Sequence, residues 1–295
     1  MVKKIHLRKA IKAPVGDRIL TVSIYVILSL LTLLIIIPLL NLIAFAFSNE
    51  NYNAYVTFIP RGFTFRYFQY ILFENPTFWS SLGNSVVMTL VITVISNVLM
   101  AMAAYPLSKD DLPFKKIVLT FFVITMLFGA GIVPTLFMLQ SIGVGGTIWG
   151  VILLSINNVF NMLLYKSFFE GLPRETIEAA QVDGASNIQL FFRIVLPMSL
   201  PVFASCAFFS IVGVWNSYGS AAMFIGYSND SQWPLAYFIY NLLSMSPKDP
   251  NAVLNSNSLV NISSAAIIIS VLPILIIYPF VIRYIKSGIT LGSEK

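Results

Sequence analysis

Hydrophobic residues along this chain form long uncharged windows that are separated by short charged or polar segments. One window runs from residue 19 to 49, and another, from 117 to 165, contains no charged residue at all. A helix that crosses a bilayer needs about 20 apolar residues, so the second window is long enough for two crossings with a turn at its central glycines. The pattern predicts an all-α membrane protein with six spans, at 20–47, 81–107, two within 117–165, 198–220 and 262–282.

The segments between these spans differ in composition and define the other regions of the chain. Residues 1–19 are basic, whereas residues 48–80 are rich in aromatic residues, asparagine and proline, which is typical of an extracellular stretch at the membrane interface. Residues 81–282 are predicted to form a core of five helices that includes a charged loop at 171–197. A short tail follows at 283–295.

Composition supports the membrane assignment and argues against binding to nucleic acid. Hydrophobic residues make up 57% of the chain and charged residues 10%, far from the balance of a soluble domain. The net charge of +6 comes from basic residues scattered between apolar windows. Fifteen of the 18 lysines and arginines fall in segments that six spans place on one side, and such residues favour the cytoplasm. Both termini and the 171–197 loop are therefore predicted to be cytoplasmic.

The first half of the 171–197 loop has the local signals of a short helix with a sharp end. Glu175 and Glu178 lie one turn apart near the start of this helix, where the helix dipole favours carboxylates. Ala179 and Ala180 have small side chains, so this helix stays narrow. Asp183 and Gly184 end it, because glycine readily adopts the left-handed conformation of a helix cap.

The second half of the loop predicts another short helix, set at an angle to the first. Ser186 and Gln189 have the spacing of a capping box, which starts a helix. The apolar residues of this helix are spaced to form one stripe that must be covered, and Leu196-Pro197 closes the loop; the stripe is Ile188, Phe191, Phe192 and Val195. The two helices together are predicted to be a docking element.

Catalytic and ion-coupling groups are missing from the predicted spans. All acidic and basic residues, and His6, lie outside the spans or at their ends, which disfavours a proton-coupled carrier. The chain contains no phosphate-binding loop sequence and no metalloprotease or serine-hydrolase motif, and Cys206 with His6 is too few residues for a metal site. An enzyme is therefore not expected. An ion-coupled secondary carrier or a channel for a small polar solute stays open, because backbone carbonyls can bind sodium.

The 171–197 loop resembles the EAA loop of ABC importer permeases. The resemblance rests on Glu178-Ala179-Ala180, on Gly184 and on Ile194 with Leu196-Pro197. Trp215-Asn216 and residues 287–292 are similar to the carbohydrate-importing, maltose-type branch of the family, although residues 293–295 depart from it. The resemblance implies the MetI-like transmembrane fold of a type I, binding-protein-dependent importer, in the bacterial cytoplasmic membrane.

The same resemblance implies partners and a role for the loop. The chain would be a multi-pass permease without a cofactor of its own, while ATP and Mg²⁺ are bound by two separate ATPase subunits. A second homologous permease would complete a heterodimer, and an extracellular solute-binding protein would deliver a sugar or oligosaccharide. The residues expected to couple the chain to the ATPase are Glu175, Glu178, Ala179, Ala180, Asp183, Gly184, Ile188, Phe191, Phe192, Leu196 and Pro197.

Amide and aromatic side chains at membrane depth are the candidates for a sugar path. A sugar ring has a polar rim and an apolar face, so amides beside flat rings suit it. Hydrogen bonds between helices are an equally good explanation for amides in a membrane. The candidates are Asn157, Asn158 and Asn161 in the fourth span, and Trp215, Asn216 and Tyr218 in the fifth.

Overall fold

The computed structural model describes residues 15–49, 58–226, 229–244 and 256–292. Every regular element in these ranges is helical, and no β-strand occurs in them. The basic residues of 1–14 and the divergent end at 293–295 lie outside the described residues. The elements are α1 Val15–Ala46, α2 Arg66–Gln69, α3 Pro76–Ser108, α4 Lys115–Leu127, α5 Ile132–Ser141, α6 Ile148–Ser155, α7 Val159–Glu170, α8 Arg174–Val182, α9 Asn187–Leu190, α10 Leu196–Met198, α11 Leu200–Trp215, α12 Gly219–Phe224, α13 Leu235–Ser244 and α14 Ser256–Gly292.

Four helices in the described part of the chain are long and apolar enough to cross a membrane, or up to six if each of two bent pairs is one span. The four are Gly16–Ala46, Pro76–Ser108, Ile148–Glu170 and Leu259–Arg283. One bent pair is α4 with α5, at 104°, and the other joins Asn187–Met198 to α11 at 79°. The upper count equals the number of crossings predicted from the sequence, although its second bent pair begins at Asn187, within the loop predicted to be cytoplasmic.

Several boundaries differ from those predicted from the pattern. The second span begins at Pro76 rather than 81, because proline fits the first turn of a helix and Asn75 before it is extended. The 48–80 segment is partly helical, since α2 continues into a π-helical turn at Tyr70–Glu74. The predicted hairpin within 117–165 has an additional break between α4 and α5, where Gly131 has a φ of 85°.

Helix α3 is the central element of the fold. It packs against α7 and α11 along one part of its length and against α13 along another. A buried cluster at its C-terminal end joins these helices through aromatic side chains, chiefly Tyr105, Tyr165, Phe169 and Phe191. The 171–197 loop therefore rests on a rigid base at the end of α3.

Helix α1 packs mainly against α14 and otherwise faces outward. None of its most apolar window is buried within the chain, which is the expected state of leucine and isoleucine side chains that face lipid. Only its C-terminal end is anchored, because the amide of Asn261 donates hydrogen bonds to the carbonyls of Phe45 (2.8 Å) and Ser48 (2.9 Å). This end is also where buried residues of α1 appear, at Ala44 and Ala46.

Candidate coupling site and translocation path

The first helix of the 171–197 loop ends in a Schellman motif, as its sequence predicts. Gly184 has a φ of 84°, in the left-handed region. Its amide donates to the carbonyl of Gln181 at 3.0 Å, and the Ala185 amide donates to Ala180 at 3.0 Å. These two bonds satisfy the carbonyls at the end of α8 and fix the direction in which the chain leaves it.

The second helix begins with the predicted capping box. The Gln189 amide donates to the Ser186 hydroxyl at 3.3 Å, and the Ser186 amide donates to the Gln189 side chain at 2.9 Å. A helical end with both orphan amides satisfied is held firmly at its first turn. The bend between α8 and α9 is therefore defined by side-chain and backbone bonds on both of its sides.

The apolar stripe predicted for the second helix is covered only in part within the chain. Phe191 and Val195 are buried within the chain together with Leu190, whereas Ile188 is 72% exposed and Phe192 48% exposed. A π-helical turn at Phe191–Val195 adds to the turn and rotates the residues that follow it. One edge of the stripe thus holds the loop to the core, and the other edge remains open.

The remaining predicted coupling residues lie mostly on the outside of the loop. Glu175, Glu178, Ala179 and Asp183 are exposed, and Ala180 is half-buried. Leu196 packs against the buried cluster at the end of α3, and Pro197 is exposed. Neither glutamate has an ion pair in the described part of the chain. Their carboxylates are thus available to another molecule.

One exposed apolar residue was missed by the sequence reasoning. Val182, the last residue of α8, is 88% exposed, although valine is usually found inside proteins. It is separated from Ile188 only by the bend at Gly184. We define the docking surface as Glu175, Glu178, Val182, Ile188 and Phe192. Its acidic members lie on α8, and its apolar members lie on both sides of the bend, so its shape depends on the bend.

The loop between α3 and α4 holds both helices of the docking element. The Lys109 ammonium donates to the side-chain oxygen of Asn187 at 2.8 Å, at the start of α9. The Arg174 guanidinium donates to the Asp110 carboxylate at 2.6 Å, at the start of α8. Two consecutive residues therefore tie the two helices to one support, a role that the sequence reasoning had missed.

Further ion pairs extend this support to the end of α7. Lys115 lies 3.8 Å from the Asp110 carboxylate and 3.2 Å from that of Glu170, which also pairs with Lys166 at 2.7 Å. The hydrogen bond from Arg174, its charge and that of Lys115 hold the pKa of Asp110 below its usual range. The Asp110 carboxylate therefore stays ionised at neutral pH, and these contacts weaken only as the pH falls through that lowered pKa.

The Asp110–Arg174 pair provides a test of this positioning role. Reversal of one charge, in Asp110→Arg, is expected to lower the ATP-driven uptake that the resemblance to importer permeases implies by only about two- to fivefold, since exposed ion pairs contribute little. The double variant Asp110→Arg with Arg174→Asp is expected to recover most of the loss. Asp111→Arg, the same charge change one residue away, serves as the control. Equal losses in the single and double variants would contradict the pairing.

Two of the predicted path residues, Asn161 and Trp215, connect helices, and Trp215 also lines a cavity of about 290 Å³. Asn161 is fully buried, and its amide donates to the Ser210 hydroxyl at 3.1 Å, which joins α7 to α11. Trp215 is also buried, and its indole donates to the carbonyl of Ser270 at 3.0 Å in α14. The explanation by interhelical hydrogen bonds therefore holds for both. Asn157 is exposed and lines none of the cavities described below.

The other predicted path residues line two cavities. Tyr218 stacks on Tyr240 with ring centroids 4.8 Å apart and 17° between the planes, and with Asn216 they line a cavity of about 290 Å³. The side-chain oxygen of Asn158 caps α7 by accepting a hydrogen bond from the backbone N–H of Asn161 at 3.1 Å. Asn158 also lines a second cavity, of about 210 Å³. The sequence reasoning missed Tyr240, because α13 lies in a segment that was expected to be outside the membrane.

No group of three or more histidine, cysteine, aspartate or glutamate side chains comes together within the described ranges. Lys115 lies between two carboxylates, 3.8 Å from that of Asp110 and 3.2 Å from that of Glu170.

Comparison with known proteins identifies a family and several relatives that match this chain over most of their length. Residues 112–291 match the family described as the binding-protein-dependent transport system inner membrane component. The chain is 37% identical over 270 residues to Protein LplC of Bacillus subtilis, covering 88% of this chain and 89% of the relative. It is 32% identical over 287 residues to the polygalacturonan/rhamnogalacturonan transport system permease protein YtcP of the same organism, covering 95% and 99%.

A solved structure has the same fold. A bacterial ABC transporter involved in the import of the acidic polysaccharide alginate contains a chain that superposes with a TM-score of 0.80 at 23% identity, covering 93% of this chain and 99% of that one. At this level of identity the match establishes the fold alone. The broken helices and the two-helix loop therefore belong to a known transmembrane architecture.

Proposed function

The chain belongs to the family of binding-protein-dependent transport system inner membrane components, and as a permease subunit of such an importer we propose that it forms half of the translocation path for an oligosaccharide. Transport is driven by ATP that a separate subunit binds and hydrolyses, together with Mg²⁺, and this chain has no catalytic site of its own. The chain crosses the bacterial cytoplasmic membrane six times if each bent pair is one crossing. Its termini and the 171–197 loop face the cytoplasm.

The observation that carries this proposal is the docking surface. Its glutamates have no intramolecular ion pair among the described residues, and its apolar members Val182 and Ile188 are more than two-thirds exposed. Exposed apolar residues surrounded by polar ones are typical of a protein interaction site. On the proposed cytoplasmic side, the partner that fits is an ATPase subunit, and the predicted coupling residues on this surface would transmit its movement.

The stoichiometry of the proposed complex follows from the single docking element. Two ATPase subunits need two docking elements, so two permeases assemble on them. The second permease is a different, homologous chain, and an extracellular solute-binding protein delivers the substrate. A related alginate transporter has been crystallised in complex with alginate pentasaccharide-bound periplasmic protein. The outer surface of α1 contacts membrane lipid, and nucleic acid is not among the proposed partners.

The proposed substrate is an oligosaccharide because the two cavities have the chemistry that a sugar requires. Tyr218 and Tyr240 supply flat rings, and Asn158 and Asn216 supply amides. The relative YtcP is named for polygalacturonan and rhamnogalacturonan, and the structural neighbour imports an acidic polysaccharide. This chain lines neither cavity with a charged residue. A neutral sugar unit thus suits its own half, and any carboxylate on the substrate would be bound by another subunit.

Calorimetry with the cognate solute-binding protein tests the substrate class. Neutral arabino- and malto-oligosaccharides of graded length form one arm, and galacturono-oligosaccharides of the same lengths form the other. Binding is expected to strengthen as sugar units are added and then to level off when the site is filled. Tight binding of an amino acid, a metal ion or a peptide, without response to any glycan, would overturn the assignment of the substrate.

A further inference from the structure

A network of buried hydrogen bonds joins α3, α7 and α11. The Tyr165 hydroxyl on α7 donates to the side-chain oxygen of Asn97 on α3 at 2.8 Å. The side-chain amides of Asn97 and Asn161 both donate to the Ser210 hydroxyl on α11, at 3.3 and 3.1 Å. We define the buried network as these residues, each at most 6% exposed: Tyr165, Asn97, Asn161 and Ser210. The Ser210 oxygen is the point at which the three helices meet.

The buried network lies near the middle of the membrane. Asn97 is about 17 Å of helix from the end of α3 at Ser108, at about 1.5 Å per residue. Ser210 is about 15 Å from the start of α11 at Leu200 by the same measure. The hydrocarbon layer is about 30 Å thick, and lipid offers no substitute for a lost hydrogen bond. Movement of these helices must therefore exchange one set of hydrogen bonds inside the protein for another.

Polar groups without a partner lie on the network and beside it. Within the described chain, the side-chain oxygen of Asn161 accepts no hydrogen bond, and the hydroxyls of Thr93 and Ser96 have no partner. Both hydroxyls are on α3, within one turn of Asn97. Nearly all buried polar groups in proteins are paired, so these three need an explanation. Because hydroxyls on α3 can donate to an oxygen on α7, the unpaired groups are the donors and the acceptor of a second arrangement.

A series of aromatic contacts leads from the docking surface to the same network. Phe192 of the docking surface contacts Phe191, with ring centroids 5.0 Å apart. Phe191 meets Phe169 on α7 at 6.5 Å, and Phe169 stacks on Tyr165 at 5.9 Å. The ring of Tyr165 therefore ends the aromatic series, while its hydroxyl belongs to the buried network.

We propose that the buried network is a relay, which converts movement of the docking element into movement of α3 relative to α11. A displacement of α9 shifts the rings of Phe169 and Tyr165, and Asn161 then accepts a hydrogen bond from α3 in the second arrangement. Hydrocarbon does not stabilise an unpaired intermediate, so the network favours two discrete arrangements. The members of the network are positioning residues. The relay rests on ATP-driven transport as part of the proposed function, whichever solute is carried.

Distances between spin labels test the relay without a transported solute. The labels are attached to Gly83→Cys in α3 and Gly219→Cys, just after α11, where an added Cβ meets no atom within 4 Å. Cys206 is buried, and the chain without these cysteines gives the labelling background. The complex with its partner permease and ATPases is measured without nucleotide and after trapping with ATP, Mg²⁺ and vanadate. Trapping is expected to shift the distance, and Tyr165→Phe is expected to reduce this shift at least twofold.

Each variant of the network has a matched control. Tyr105→Phe removes a hydroxyl from the same buried cluster, but the Tyr105 hydroxyl has no hydrogen-bond partner in the described chain, so the full shift is expected. Ser210→Ala should reduce the shift, whereas Ser205→Ala should not, because the Ser205 hydroxyl donates within its own helix. Tyr165→Phe combined with Ser210→Ala should be no worse than the more severe single variant, since both interrupt one network.

A second measurement separates a relay from a merely structural role. It is the amount of radiolabelled malto- or galacturono-oligosaccharide imported per ATP hydrolysed, with the solute-binding protein present. Tyr165→Phe is expected to lower this ratio about three- to tenfold while the ATPase co-purifies in the native amount. A structural role would lower the yield of the complex and leave the ratio unchanged.

The outcomes distinguish the relay from the proposed substrate. A full shift in both Tyr165→Phe and Ser210→Ala would overturn the relay and leave the proposed function intact. The relay is also wrong if trapping does not move the labels in the otherwise native chain, or if neither variant assembles. If the labels respond as expected but none of the glycans is imported, the relay stands and the proposed substrate fails.

Discussion

Replacement of Gly184 by valine is expected to lower ATP-driven uptake roughly five- to thirtyfold while insertion into the membrane remains normal. The φ of 84° at this position lies in the left-handed region, which costs an ordinary side chain about 1 to 2 kcal/mol and a β-branched one at the upper end of that range. The bend between α8 and α9 sets the relative positions of Val182 and Ile188. If a smaller fraction of the molecules adopts this bend, a smaller fraction presents the complete docking surface.

The control for this prediction is Gly184→Asn at the same position. Asparagine adopts the left-handed conformation more readily than any β-branched residue, so this variant should keep most of the native uptake. A Cβ at Gly184 meets no atom within 4 Å, which means that a difference between valine and asparagine reports on backbone conformation and not on a clash. Uptake is measured beside the amount of chain in the membrane. Native uptake by Gly184→Val would show that the bend is unimportant.

A pair of charged substitutions on the docking surface is expected to remove the ATPase from the complex. Full burial of a valine or isoleucine side chain at an interface contributes about 1.5 to 3 kcal/mol. The double variant Val182→Glu with Ile188→Glu loses both contributions and adds two charges that must be desolvated, so retention of the ATPase during co-purification should fall at least tenfold. Insertion should be unaffected, because both native side chains are more than two-thirds exposed.

Val182→Thr and Ile188→Thr, made together, provide the matched control. Threonine is similar in size to valine and carries no charge, so this variant is expected to lose less of the ATPase than the glutamate pair. The measurement is the ratio of ATPase to permease after purification in mild detergent. An unchanged ratio in the glutamate variant would mean that the ATPase contacts another part of the chain.

Features of this protein that depend on a few neighbouring residues could be predicted from the sequence. The bend between α8 and α9 is an example, because the hydrogen bonds at Gly184 and in the Ser186–Gln189 capping box join residues that are close in sequence. Which residues of the stripe on the second helix are covered by the chain itself could not be predicted, because a π-helical turn at Phe191–Val195 changes the helical periodicity.

Features that join distant parts of the chain could not be predicted in this way. Asp110 in the α3–α4 loop forms a charged pair with Arg174 at the start of α8, and nothing in the spacing of either residue points to the other. Tyr240 reaches Tyr218 only because α13 packs against α12, which Tyr218 precedes. Asn161 and Trp215 resemble ligand-binding residues in sequence, and only the position of Ser210 and Ser270 shows that they bond to neighbouring helices.

The bend between α4 and α5 affects how long the unassembled chain survives degradation in the cell. Helix α4 extends over about 20 Å, less than the roughly 30 Å of hydrocarbon, and none of its residues is buried within the chain. Within the hydrocarbon layer, backbone groups freed by a 104° bend must be covered by protein or by water, and in the proposed complex the partner permease would provide this cover. A permease made without its partner subunits therefore leaves these backbone groups uncovered. We expect membrane proteases to degrade the unassembled chain, while assembled copies persist.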